Sequence, residues 1–144
     1  PAVPLCVIAA GVFFLTGLLT GVWKYWHIAR THNAQAPAYV DIAHRASLMY
    51  SFAALLLGQF AALSAFSAEV NFWAAAAPLA LFAAAIGGYV VHGWLNDTDN
   101  QLRRPHKVGD MALPRHSLLL FMLVLIAGEV GGFLVLFIGA LKAL

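Results

Sequence analysis

Six histidines, His27, His32, His44, His92, His106 and His116, are the side chains of this sequence best suited to chemistry. Neutral imidazole is a good ligand for iron, copper or zinc. Imidazoles converging from several helices are what a metal or haem site inside a helical bundle requires. The competing reading is that imidazole, apolar in body and polar at its tip, is simply comfortable at a wet membrane interface. The one cysteine, Cys6, leaves no internal disulfide and no Cys-based zinc or iron–sulfur motif.

Two stretches concentrate the reactive residue types. The first is Asp41-Ile-Ala-His44-Arg45-Ala-Ser47-Leu-Met-Tyr50-Ser51. At about 100° per residue on a helix, His44, Ser47 and Ser51 share a face, with Tyr50 in a neighbouring sector a turn deeper. Asp41 precedes His44 by one turn, so it either orients the imidazole by accepting its ring N–H or serves as a first-turn acid favoured by the helix dipole. The second stretch is Gly87-Gly88-Tyr89-Val-Val-His92-Gly-Trp94-Leu-Asn96. Tyr89, His92 and Asn96 form a second polar stripe, and the paired glycines admit either a neighbouring helix or a flat ligand. A phenol in a low-dielectric pocket can donate a hydrogen bond to developing negative charge. His44, Tyr50, Tyr89 and His92 are therefore expected to line one pocket.

Other polar residues carry weaker signals. Asp97 and Asp99 lack the spacing, glycine and terminal glutamate of a calcium loop. Arg103, Arg104 and Lys107 read first as topology determinants and second as partners for haem propionates or lipid phosphates. Glu129 lies at mid-depth in the last apolar run, where an ionisable group is expensive and needs a partner. Either Gln59 is that partner or a protonated Glu129 bonds a backbone carbonyl; a proton relay is the alternative to the more economical interhelical hydrogen bond, which Gly131 and Gly132 would permit by close packing.

The elements that position these residues follow from composition. The 144 residues are 62% hydrophobic and 10% charged, with a mean hydropathy of +0.84. A soluble domain carries about 25% charged residues, and a disordered chain has far less apolar surface, so both are excluded. Apolar runs at 3–23, 46–67, 70–95 and 117–141 each approach the roughly 20 residues needed to cross a bilayer. Open strands cannot be satisfied in lipid and no period-two alternation suggests a barrel. The expectation is an all-α, transmembrane, four-helix up-down bundle in one domain, with helices at about 3–27, 42–67, 70–96 and 114–142. The sequence begins Pro1-Ala2, and its first apolar run is too long for a signal-peptide core.

A short second link makes the middle helices an antiparallel hairpin, while the first and third links are expected to run to about twenty residues each. Seven of the eight Lys and Arg residues fall on the side of those long links, which the positive-inside rule places in the cytoplasm. Trp23, Trp26 and Trp94 mark that interface and Trp73 the other. All six histidines share the crowded side. The net charge of +2 is accounted for by flanking topology residues and carries no indication of nucleic acid.

Ala43-His44 at the head of the second helix, Gly87-Gly88-Tyr89 late in the third, the spacing between His44 and Tyr89, and Asn100-Gln101 before the fourth resemble a family of small four-helix membrane proteins. That family includes styrene oxide isomerase and hydroxylaminobenzene mutase. The resemblance covers most of the chain in architecture and a handful of residues in motif. It implies haem b bound between the subunits of a trimer, with His44 as iron ligand, Tyr89 as active-site tyrosine, and isomerisation of an epoxide or hydroxylamine. Tyr50 stands where the family has asparagine, and Tyr50-Ser51 replaces an Asn-Gly pair. A tyrosine is bulkier than asparagine and presents one hydroxyl rather than a carbonyl and an amide.

The resulting expectation is a multi-pass protein of the bacterial inner membrane that acts on a small hydrophobic substrate arriving from lipid. Tyr89 and Tyr50 would be its catalytic residues, His44 its metal ligand, and His92, Arg45 and Asn100 further haem contacts. The partner is a second copy of the chain or a larger membrane complex. Two other readings stay open: a non-catalytic haem or metal subunit for electron transfer, with His44 and His92 as paired axial ligands, and a structural bundle without cofactor.

Overall fold

The computed structural model describes residues 1–144. It comprises four long helices, α1 (Ala2–Ile28), α2 (Ala38–Leu63), α3 (Ala68–Leu95) and α4 (Ser117–Ala143), and one small hairpin, β1 (Lys107–Val108) with β2 (Met111–Ala112). Each helix is long and apolar enough to span a membrane, so the chain is a multi-pass, all-α four-helix bundle. Neighbours in sequence pack together, with α1–α3 and α2–α4 contacts across the bundle. Only 29 of the 144 residues are buried within the chain, as expected where lipid covers the outer faces.

Small residues bring the helices close. The core includes Cys6, Phe13, Ala54, Leu57, Ala75, Leu79, Phe82 and Leu136. A Cβ at Gly58 would stand 3.1 Å from that of Cys6, so α1 meets α2 there nearly backbone to side chain. Pro78 lies inside α3 and has no N–H to give, which frees the carbonyl of Ala74 one turn back. Gly132 of α4 faces that point, where a methyl would lie 2.5 Å from Ala74 O. The fourth helix therefore docks where the third is weakest in backbone bonding.

The links correct one expectation and add a hairpin. The first is short, because α1 ends at Ile28, beside its expected end, and α2 already begins at Ala38, behind Pro37. Its start is fixed by Pro37, whose ring pre-sets a turn-entry backbone, rather than by the onset of the apolar run. The third link contains the β1–β2 hairpin, paired as Lys107↔Ala112 and Val108↔Met111. Gly109 opens its two-residue turn at φ 59°, the position at which a type II′ turn demands glycine. Ser67 caps α3 by accepting from Val70 N, and Asn96 ends it in the left-handed region.

Candidate functional site

His44 faces α1. Its Nδ1 lies 2.7 Å from the carbonyl oxygen of Gly17, and a carbonyl can only accept, so Nδ1 carries the proton and Nε2 keeps the lone pair. Nε2 has no partner in the chain and is not shut away from the surface. Two glycines one helical turn apart make this possible. A Cβ at Gly21 would stand 2.8 Å from His44 Cε1 and 2.9 Å from Nδ1, and one at Gly17 would strike Leu48. The segment Gly17-Leu-Leu-Thr-Gly21 is thus a small-xxx-small contact against which the imidazole packs.

Asp41 does not orient His44. It accepts from Lys24 at 2.6 Å and from Arg45 Nη2 at 2.8 Å and Nε at 2.9 Å, tying the end of α1 to the start of α2. The first-turn acid thus satisfies two cations, and a backbone carbonyl takes the role expected of it at the imidazole. Arg45 is committed to this pair, with its side chain 67% exposed. Ser47 and Ser51 are satisfied within their own helix, donating to the carbonyls of Ala43 and Leu48.

Beyond His44, the seam between α1 and α2 opens as an apolar groove of about 310 Å³. Gly11 and Phe14 line it on one side and Ser51, Phe52 and Leu55 on the other. At 3.6 residues per turn, Leu55 and Ser51 of the groove lie on the stripe that Leu48 and His44 continue. The imidazole lies on that stripe beyond Leu48, outside the groove's lining.

The phenols lie on another flank of α2. Tyr50 stacks on Phe82, with ring centroids 4.3 Å apart and planes at 13°. Tyr50, Tyr89, Gly88, Gln101, Phe121 and Met122 line a cavity of about 270 Å³ among α2, α3 and α4. A Cβ at Gly88 would meet nothing within 4 Å, so this glycine leaves room rather than packing a helix. In the same helix as Phe121 and Met122, Glu129 has its Oε1 buried without a hydrogen-bond partner. Gln59 does not supply that partner: it is exposed on the outer face of α2, because the helix rotates position 59 away from the bundle.

His92 occupies a third environment. Its ring is buried, 5.2 Å from that of Tyr39, and Nδ1 donates to Asp97 at 2.8 Å. The other Asp97 oxygen accepts from Gly109 N at 2.7 Å, which fastens the hairpin to the end of α3. Desolvation alone would raise the Asp97 carboxyl; the Gly109 N–H and the His92 ring outweigh it and hold the group below the usual carboxylate range. Tyr39 stacks on Tyr89 and accepts from Gln101 N at 2.7 Å. Asn100 folds back on the link, its Oδ1 accepting from Leu102 N. Asn96 leaves the polar stripe to cap α3.

Within one chain, then, the four residues expected in a single pocket are divided. His44 faces the first helix, Tyr50 and Tyr89 share the cavity beside α4, and His92 binds Asp97. No group of three or more His, Cys, Asp or Glu side chains is arranged to hold a bare metal ion. A single imidazole with an oriented ring remains the arrangement suited to an axial ligand. Neither a family model, nor a curated protein, nor a solved structure matches this chain.

Sequence reasoning missed the Gly17 carbonyl, Gly21, Tyr39 and the Asp97 partnership. The four-residue spacing of Gly17 and Gly21 in an apolar run was the available signal for the first two. Nothing in the residue types marks a backbone carbonyl as an acceptor for a histidine on the next helix.

Proposed function

We propose that this chain is an integral membrane isomerase dependent on haem b, similar in activity to styrene oxide isomerase, that opens a small hydrophobic epoxide or related substrate in the bacterial inner membrane. The observation that carries the reading is His44. Its Nδ1–H is bonded to a carbonyl and its Nε2 lone pair has no partner in the chain, the arrangement in which metal-ligating histidines are commonly held. Haem attachment through one histidine needs no cluster of ligands, so the donor set fits. His44 would hold the group, beside the face of α1 that carries Gly17 and Gly21. Bound there, haem iron would supply Lewis acidity towards a substrate oxygen.

The chain's own side chains supply the remainder. The groove and the cavity are apolar and open within the spanning helices, which suits uptake of the substrate from lipid and exclusion of water. Tyr89 and Tyr50 donate hydrogen bonds to charge developing on oxygen as the C–O bond opens. The product has the composition of the substrate, so a hydride or proton shift completes the change without an external reductant or oxidant.

His44 and the phenols face different flanks of one chain, and a head-to-tail ring of copies would set one flank against the other flank of its neighbour. Gln59 favours such an assembly. With Met49, Phe52, Leu56 and Leu63 it forms an outward stripe on α2, where an unpaired amide facing lipid is costly and a second chain would relieve it. The trimer implied by the resemblance is the simplest closed form.

A second reading rests on His92, whose Nδ1–H is likewise fixed, by Asp97. It is that of a non-catalytic haem-binding subunit with a second axial histidine. The test is conversion of aryl and alkyl epoxides to carbonyl compounds by haem-loaded protein in lipid vesicles. Turnover that is lost in His44→Ala supports the isomerase. Six-coordinate low-spin iron without turnover would overturn it in favour of the subunit.

A further inference from the structure

Four basic side chains, Arg104, His106, Arg115 and His116, line a cavity of about 690 Å³ where the third link enters α4. No carboxylate lines it, and neither arginine has an acidic partner within salt-bridge distance. The neighbouring Arg103, by contrast, is paired with Asp99 at 3.0 Å. His106 Nδ1 is buried with no hydrogen-bond partner. The cavity also lies at the start of a 27-residue helix whose first turn has neither an acidic residue nor a side-chain cap. Unsatisfied N–H groups at such an end favour negative charge.

A second, apolar groove of about 620 Å³ continues from this cup, sharing Arg115, His116 and Leu119 and extending over Leu120 and Leu123. These leucines are exposed on the outer face of a spanning helix. One ligand therefore meets both surfaces: an anionic head in the basic cup and a hydrocarbon chain along α4. We infer that this face is a binding site for an anionic glycerophospholipid, its phosphodiester held by Arg104 and Arg115 and one acyl chain lying over Leu119, Leu120 and Leu123. Arginine forks suit phosphate oxygens, and a headgroup without a compensating ammonium leaves the phosphodiester's full negative charge to the two arginines. The site is independent of the haem reading, since it shares no residue with the His44 groove or the phenol cavity.

The test is native mass spectrometry of the full chain released from vesicles mixed from phosphatidylglycerol and phosphatidylcholine. The variants are Arg104→Gln/Arg115→Gln and a charge-matched control outside the cup, Arg103→Gln/Lys107→Gln. The wild type is expected to retain phosphatidylglycerol over phosphatidylcholine. The cup variant should weaken that retention at least tenfold, from the loss of two charge-assisted arginine–phosphate contacts, and the control less than threefold. Equal losses in the two variants would show diffuse surface attraction and overturn the site. Displacement of the lipid by inorganic phosphate would show a free-anion site and overturn the lipid assignment. If the cup variant fails to fold, Leu119→Glu, which sets a negative charge at the mouth of the cup, must reproduce the loss, and full retention by it would refute the proposal.

Discussion

Gly21→Ala tests how His44 is held. The added methyl would stand 2.8 Å from Cε1 and 2.9 Å from Nδ1 of the imidazole. Carbon atoms rest at about 3.5 Å or more, so the ring must retreat by roughly 0.7 Å. Retreat from α1 is also retreat from Gly17 O. A bond of 2.7 Å would lengthen to roughly 3.4 Å, outside the usual N–H···O range. Overpacking costs about 1–3 kcal/mol and the lost bond about 1 kcal/mol, against about 1 kcal/mol returned by replacing a helical glycine with alanine. The net is a destabilisation of about 1–3 kcal/mol. Loss of the partner that orients a ligand histidine commonly weakens metal affinity 10–100-fold, and haem affinity should fall in that range. The assay is haem titration followed by absorbance, beside thermal unfolding, with Gly131→Ala as the control because a Cβ there meets nothing within 4 Å. Unchanged haem affinity and stability in Gly21→Ala would refute the reasoning.

Three further outcomes follow from the same geometry. Gly88→Leu should fill the phenol cavity and lower epoxide turnover at least tenfold with haem affinity within twofold; undiminished turnover would remove the cavity from the mechanism. The Asp97 carboxyl is held below its usual range, so its contribution to stability is present above the unfolded value of about 3.9 and lost as pH falls through the lower folded value. The stability difference between wild type and Asp97→Asn should accordingly shrink on acidification below about pH 4, and a difference that grows there would contradict the assignment. Gln59→Leu should weaken association of copies in detergent by about 0.6–2 kcal/mol per chain, the usual worth of a polar contact between spanning helices, as read from the oligomer–monomer equilibrium; an unaltered or stronger oligomer would place Gln59 outside the interface.

The four spans were legible because each is a long apolar run that only a helix can carry through lipid. The start of α2 was less so, since Pro37 begins the helix at Ala38, ahead of the expected start at 42. His44, Tyr50 and Tyr89 could be picked out by type and spacing, yet not their separation, because rotation about α2 decides which neighbour each meets. The Glu129–Gln59 pair was inferred from shared depth, and depth does not determine facing. His92 met Asp97 only after a left-handed turn at Asn96 folded the link back, a reversal that helical periodicity cannot anticipate. The hairpin was signalled by Gly109-Asp110 between short, mixed residues, too brief a pattern to stand out within a polar link.

The most direct measurement is the absorption spectrum of the detergent-purified protein, oxidised and then reduced, beside His44→Ala. A Soret band in the wild type that is absent from a folded His44→Ala variant is the result predicted by an unpartnered Nε2 lone pair. A wild-type protein without iron that also fails to take up added haem, or a band unaltered by His44→Ala, would contradict the account.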